Sequence, residues 1–326
     1  MGPTAYIARR LAYGVILLIG VLVLNFFLIH AAPGDPAETI AGAMGGATAR
    51  MLADIRSAYG LDKPLLTQLA IYLGRVAHGD LGMSYYFNQP VIDLIAARVG
   101  PTILLVLAAQ VIAITAGVAM GVFAARKPSG PLSAFVAVLS TVGYAAPVFW
   151  TGIMLVILFA SIIPIFPVEG MTSARFSGGF VAHIGDVLYH LALPAFTLAI
   201  IFLAQYSRLS RASMIDVLGA DYVRTARAKG LSETKVVFKH ALRNAVLPII
   251  TVAGIQFGNL ISGALLVESV FNWPGMGRLA FDSVLRRDYP TLLGILFFAA
   301  LMVVVANLLT DLSYRFADPR IRTGGR

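Results

Sequence analysis

The sequence predicts an all-α integral membrane protein with six transmembrane helices and both termini on the cytoplasmic side. Three observations lead there. The chain is 58% hydrophobic and 13% charged, with a mean hydropathy of +0.82, whereas a soluble domain carries about 25% charge. Its apolar residues gather into six long runs. Its Lys and Arg concentrate in alternate connections between those runs.

A crossing takes about 20 mostly apolar residues. The candidates are residues 11–32, 101–125, 132–163, 189–207, 246–268 and 290–312. The first follows Arg9 and Arg10 and ends on "HAA", the outline of a secretory leader. Its apolar run exceeds the usual leader core of about 7–15 residues, so it reads as a retained helix. The third is longer than one upright crossing needs and contains Pro147, which predicts a tilt or a kink.

Orientation follows from charge. With the N-terminus inside, the inner segments 1–10, 126–131, 208–245 and 313–326 hold 16 of the 25 Lys and Arg. The outer segments are longer and hold 9. Short basic loops stay inside, which places both termini and the basic segment 208–245 in the cytoplasm. The same rule accounts for the net charge of +9 without nucleic acid.

Three amphipathic stretches fill the first external segment. In "TARMLADIRSAYG", Leu52, Ile55 and Tyr59 share a helical face that stops at Gly60. In "DKPLLTQLAIYLGRVAHG", Asp62 is the expected N-cap, Pro64 lies in the first turn and Gly79 follows the end. "QPVIDLIAARVG" is the third. Short helices on the membrane surface and a docking surface are both compatible with this pattern. The division expected is residues 1–96 (first crossing and external segment), 97–312 (core with the loop 208–245) and 313–326 (tail).

Several chemistries are missing from the sequence. There is no Cys, and the five His are scattered without HExxH, so no metal site is expected. No GxxxxGK[ST] or GxSxG occurs. The spans lack deep ionisable groups: Glu268 and Asp311 lie near span ends. That argues against an ion-coupled carrier, and the absence of a nucleophile argues against a membrane enzyme. Gln256, Asn259 and Ser262, three residues apart, share a face of the fifth span and are candidate pore-lining residues, although helix packing follows the same spacing. Gly117 with Gly121, and Gly254 with Gly258, are small-residue pairs that let helices approach closely.

Residues 219–248, "GADYVRTARAKGLSETKVVFKHALRNAVLP", hold eight charges between two apolar runs. Asp221 suits a helix start, and Arg227 and Lys229 complement the dipole at its end. Gly230 suits a left-handed turn, and Ser232 suits the cap of a second helix with Glu233 in its first turn. Pro248 then sits near the start of the next span. A short helix, a sharp turn and a second helix running into the membrane describe a lever more than a topology anchor.

"YVRTARAKGL…HALRNAVLP" resembles the cytoplasmic loop motif of ABC importer permeases of the dipeptide/oligopeptide/nickel class. The superfamily's Glu-Ala-Ala is here Arg224-Thr225-Ala226, followed by Gly230 and by Leu247-Pro248. "YIARRLAYGVILLIGVLVLNFFLIHAAPGDPA", "YGLDKPLLTQLAIYLGRVAHGDLGMS", "GALLVESVFNWPGMGRLAFDSVLRRDYP" and "NLLTDLSYRFADPRIR" resemble the same class in order. The resemblance implies a type I ABC importer permease fold in a prokaryotic cytoplasmic (inner) membrane. It implies a heterodimer with a second permease, one or two ABC ATPases that bind the ATP and Mg, and an external substrate-binding protein. No cofactor and no enzymatic activity are implied for this chain. Asp221, Arg224, Thr225, Ala226, Arg227, Gly230 and Leu231 would couple to the ATPases. Glu268, Trp273, Pro274, Gly275 and Gly277 would form an external gate or docking loop, with Trp273 also suited to the membrane interface. The cargo would be a di- or oligopeptide, although relatives of this class carry nickel complexes, glutathione or sugars.

Overall fold

The computed structural model describes residues 3–31, 38, 48–59, 62–84 and 86–317. The Pro33–Pro36 exit motif and residues 318–326 lie outside them, as do the side chains of Asn259, Ser262 and Asp311. The described elements are α1 (Pro3–Ala31), α2 (Ala49–Tyr59), α3 (Leu65–Ala77), β1 (Met83–Ser84), β2 (Gln89–Pro90) and α4 (Val91–Arg126). They continue as α5 (Pro131–Ala145), α6 (Val148–Ile162), α7 (Phe180–Leu218), α8 (Asp221–Ala228), α9 (Glu233–Ala245), α10 (Leu247–Val270), α11 (Met276–Arg286) and α12 (Tyr289–Ala317). β1 and β2 form an antiparallel hairpin.

Within α1, α4, α7 and α12 there are stretches long and apolar enough to cross a membrane. Two further crossings arise if α5 with α6, and α9 with α10, each count as one bent span. α10 has 24 residues, about 36 Å at 1.5 Å per residue, and so exceeds a ~30 Å hydrocarbon layer by itself.

Proline acts differently at three places. At Pro147 the expected kink is a break, with α5 and α6 bent by 105°. Ala146 is extended (φ −74°, ψ 129°), the conformation forced on a residue that precedes proline. Pro101 and Pro194, by contrast, lie inside the continuous helices α4 and α7. As a result "QPVIDLIAARVG" is no separate surface helix: it opens the 36-residue α4. The fourth crossing likewise extends well past 189–207, as part of a 39-residue helix. Asp62 does not cap α3, because Pro64 occupies the N-cap position and restricts Lys63 before it.

The chain forms two compact units, Met1–Gly100 with Gly275–Leu308, and Pro101–Pro274 with Leu309–Arg326. In the first, Val91, Leu94 and Ile95 pack with Met276, Leu279 and Ile295. Asp288 stands just before α12 and accepts the hydroxyls of Thr291 (2.7 Å) and Ser84 (2.5 Å), which ties the β-hairpin to that helix start. Arg286 lies 4.0 Å from the centre of the Tyr86 ring. His30 near the end of α1 lies 2.9 Å from Gln68 on α3, beside Tyr72, whose hydroxyl burial pushes up to about 12.

In the second unit α7 is the central post. Leu105, Val106, Ala109 and Ala113 of α4 recur at helical spacing and meet Leu198, Ala199, Phe202 and Tyr206 of α7, with Ile249, Ala264 and Val267 of α10. Lower on α4, a Cβ at Gly117 would lie 2.9 Å from the Leu203 carbonyl, and one at Gly121 would lie 2.6 Å from that of Ser207. These glycines let two backbones touch. A Cβ at Gly254 would run into Thr310.

Candidate functional site

The basic segment folds as a braced hairpin. α8 begins after Ala220, which takes the N-cap position, so Asp221 is its first residue and its carboxylate stays exposed. Asp221, Arg224, Thr225 and Ala228 recur at i, i+3, i+4 and i+7 and form one exposed face. Arg224 lies 3.6 Å from Asp221, a solvent-exposed pair worth little energy. On the opposite face Val223 and Ala226 are buried against Val236, with Leu231, Val217 and Leu218 around them. Two of the sequence-predicted coupling residues, Ala226 and Leu231, are therefore packing residues of the hairpin.

Gly230 has φ +74°, and its N–H donates to the Arg227 carbonyl at 2.9 Å. Open space surrounds the site where a Cβ would be. The left-handed backbone alone demands glycine here. Ser232 occupies the N-cap of α9 without a side-chain bond.

Arg227 does more than complement a dipole. Its Nε and Nη2 donate to the two Glu233 oxygens at 3.1 and 2.9 Å, and its Nη1 donates to the Leu218 carbonyl at the end of α7 at 3.4 Å. The hydrogen bond from Arg227 holds the Glu233 carboxyl below its ordinary value. At the other end of α8, Asn244 Nδ2 donates to the Tyr222 hydroxyl at 2.7 Å.

α9 contains a widened turn over Val236–Ala241, a feature common at functional sites. Its buried side, Val237, Ala241 and Ala245, packs on Val122 and Ala125 of α4 and Met214 of α7. It meets α10 at a bend of 48°, so the two helices do not form one straight rod.

Three glutamines in the spans bond across helices. Gln256 of α10 donates to Gln205 of α7. Gln110 of α4 donates to the Tyr206 hydroxyl at 3.1 Å and to the Ala253 carbonyl at 3.0 Å. Residue type alone shows that Gln110, Gln205 and Gln256 are polar groups in apolar runs, but nothing in their spacing names the partners. Asn259 and Ser262 lie on α10, with their side chains outside the described residues.

The external loop departs from the sequence reading at Trp273. Instead of anchoring at a membrane interface, Trp273 is fully buried with Phe271. Its indole N–H donates to the Pro101 carbonyl at 2.9 Å, and its backbone N–H donates to the Glu268 carbonyl at 2.9 Å. The buried Glu268 carboxylate accepts from Thr102 at 2.7 Å, which ties α10 to α4. Asn272 has φ +51° and donates to Glu169 at 3.1 Å. Pro274 follows, Gly275 is the N-cap of α11, and Gly277 lies in its first turn. Trp273→Phe retains most of the ring volume and removes the bond to Pro101. It should cost about 1–2 kcal/mol, read as a lower thermal midpoint of the purified protein; an unchanged midpoint would show that the bond contributes nothing net.

Comparisons with known proteins agree with this architecture. Residues 117–323 match the family described as "binding-protein-dependent transport system inner membrane component". Residues 4–106 match its N-terminal membrane component. The chain is 39% identical over 338 residues to the dipeptide transport system permease protein DppB of Escherichia coli strain K12, covering 97% of this chain and 98% of that protein. It is 38% identical over 318 residues to the oligopeptide transport system permease protein AppB of Bacillus subtilis strain 168, covering 97% and 99%. Among solved structures, inward-facing MetNI methionine ABC transporter aligns with a TM-score of 0.56 at 14% identity, covering 69% of this chain and 96% of that one. That likeness is one of fold.

Proposed function

The chain belongs to the inner membrane components of binding-protein-dependent transport systems, and on that premise we propose that it forms half of the path of an ATP-driven importer for di- or oligopeptides. The names of its relatives support the cargo class. A second, related permease supplies the other half, and an external binding protein delivers the peptide near Glu268–Gly277. One or two ATPases bind ATP and Mg in the cytoplasm; this chain carries no cofactor of its own. The chain lies in a prokaryotic inner membrane, with both termini on the ATPase side.

The observation that carries the reading is the packed α8–α9 hairpin with its exposed face of Asp221, Arg224, Thr225 and Ala228. That face docks on the ATPase. Arg227, Gly230, Ala226 and Leu231 hold its angle. When the ATPases close, α8 and α9 move together. The bend into α10 passes that motion to the Gln256 face, switching the path between outward and inward access. Charges on the docking face set register and approach; no covalent step occurs in this chain.

Affinity purification from native membranes in mild detergent, with mass spectrometry of the companions, tests this. A second six-span permease and a Walker-motif ATPase should co-purify. Arg224→Glu should retain the permease and lose most of the ATPase. Recovery of the folded chain alone would restore a stand-alone carrier to first place.

A further inference from the structure

A lever transmits force only if its joint is stiff, and a single left-handed glycine at Gly230 is a flexible joint. Two polar ties bridge it. Near the end of α8, Arg227 grips both oxygens of Glu233 and also the last carbonyl of α7. Near the start of α8, Tyr222 receives the Asn244 amide from the far end of α9. The ties lie on opposite sides of the buried Val223–Ala226–Val236 contact. Neither tie alone prevents α8 from pivoting about that contact. Together they fix it at both ends.

We propose that Arg227–Glu233 and Tyr222–Asn244 are positioning pairs that make α8 and α9 one rigid body, so that they act in coupling through geometry and not as contacts to the ATPase. This rests on the permease reading above. The chemistry suits the task. An Arg–carboxylate fork fixes direction as well as distance, and the third guanidinium nitrogen orients the fork on α7. All four side chains are solvent-exposed, as are Asp221, Arg224, Thr225 and Ala228, but their polar groups are already engaged within the hairpin and on the end of α7.

The test uses the transporter purified with its ATPases and binding protein in proteoliposomes, with radiolabelled glycyl-leucine as the transported probe. Glu233→Gln and Tyr222→Phe should leave the amount of co-purified ATPase unchanged. Each should lower transport per ATP hydrolysed several-fold. The double exchange R227E/E233R should restore much of what R227E loses; restoration stays partial because Arg126 also acts on the carboxylate at 233. Because the natural chain lacks cysteine, spin labels at Lys229→Cys and Lys239→Cys report the hairpin angle directly. Their distance distribution should broaden in Glu233→Gln and Tyr222→Phe.

ATPase lost in proportion to transport would make these residues contacts and overturn the proposal. An unchanged label distribution with unchanged transport would overturn it as well. If the unaltered chain brings down no ATPase, the permease reading fails, and the label distances still decide whether the pairs brace the hairpin.

Discussion

Gly230→Pro should abolish transport while leaving the chain inserted in the membrane. The backbone at Gly230 has φ +74°, and proline is locked near −65°. Proline also removes the N–H that donates to the Arg227 carbonyl at 2.9 Å. Crowding contributes nothing, because no atom lies within 4 Å of where a Cβ would stand. Gly230→Ala isolates the conformational part, about 1–2 kcal/mol for a left-handed residue with a Cβ. Alanine should therefore reduce transport partially and proline completely. The measurement is uptake into vesicles, with membrane content of the variant as the control. Loss of insertion together with transport would mean that the turn serves folding, and the lever account would fail.

How far the sequence reveals this hairpin depends on the range of the interaction. Gly230 is legible because a Gly between two helical patterns near Lys229 has few other uses. Arg227 and Glu233 are six residues apart across that turn, so their pairing is readable in principle; the dipole reading overlooked it. Trp273 was not readable. Its partner is a carbonyl 172 residues away, and an aromatic beside Pro-Gly at a span end reads equally well as an interface anchor. The glutamines behave similarly: residue type marks them as helix-bonding groups, while partners depend on how α4, α7 and α10 are arranged.

The prolines show the same limit for backbone. Run length identified the crossings, since about 20 apolar residues is a requirement of the lipid and not of tertiary packing. Yet Pro147 ends a helix where Pro101 and Pro194 do not. Proline removes one donor and restricts its predecessor. Whether the helix then breaks depends on its setting: Pro194 lies buried in the middle of the continuous α7, whereas Pro147 is exposed between α5 and α6.

Gly121→Leu should prevent the second unit from packing at all. A Cβ at 121 would lie 2.5 Å from Ser210 Cβ and 2.6 Å from the Ser207 carbonyl. Neither can swing aside by changing rotamer, so α4 and α7 must separate. Gly121→Ala should cost about 1–3 kcal/mol, the usual range for overpacking, while leucine adds three more carbons to the same gap. The readout is the yield of monodisperse protein in detergent and, for alanine, its denaturation midpoint. Gly20→Ala, in open space on α1, serves as the silent control. A normal yield of Gly121→Leu would show that the two helices have slack at this seam. The alanine variant carries a functional consequence too. Next to Gly121 and one turn further on, Val122 and Ala125 pack with Val237 and Ala241 of α9, so opening this seam shifts the platform beneath the lever. Transport in Gly121→Ala should fall more than its stability does, because the hairpin's position, and not its survival, is what the substitution disturbs.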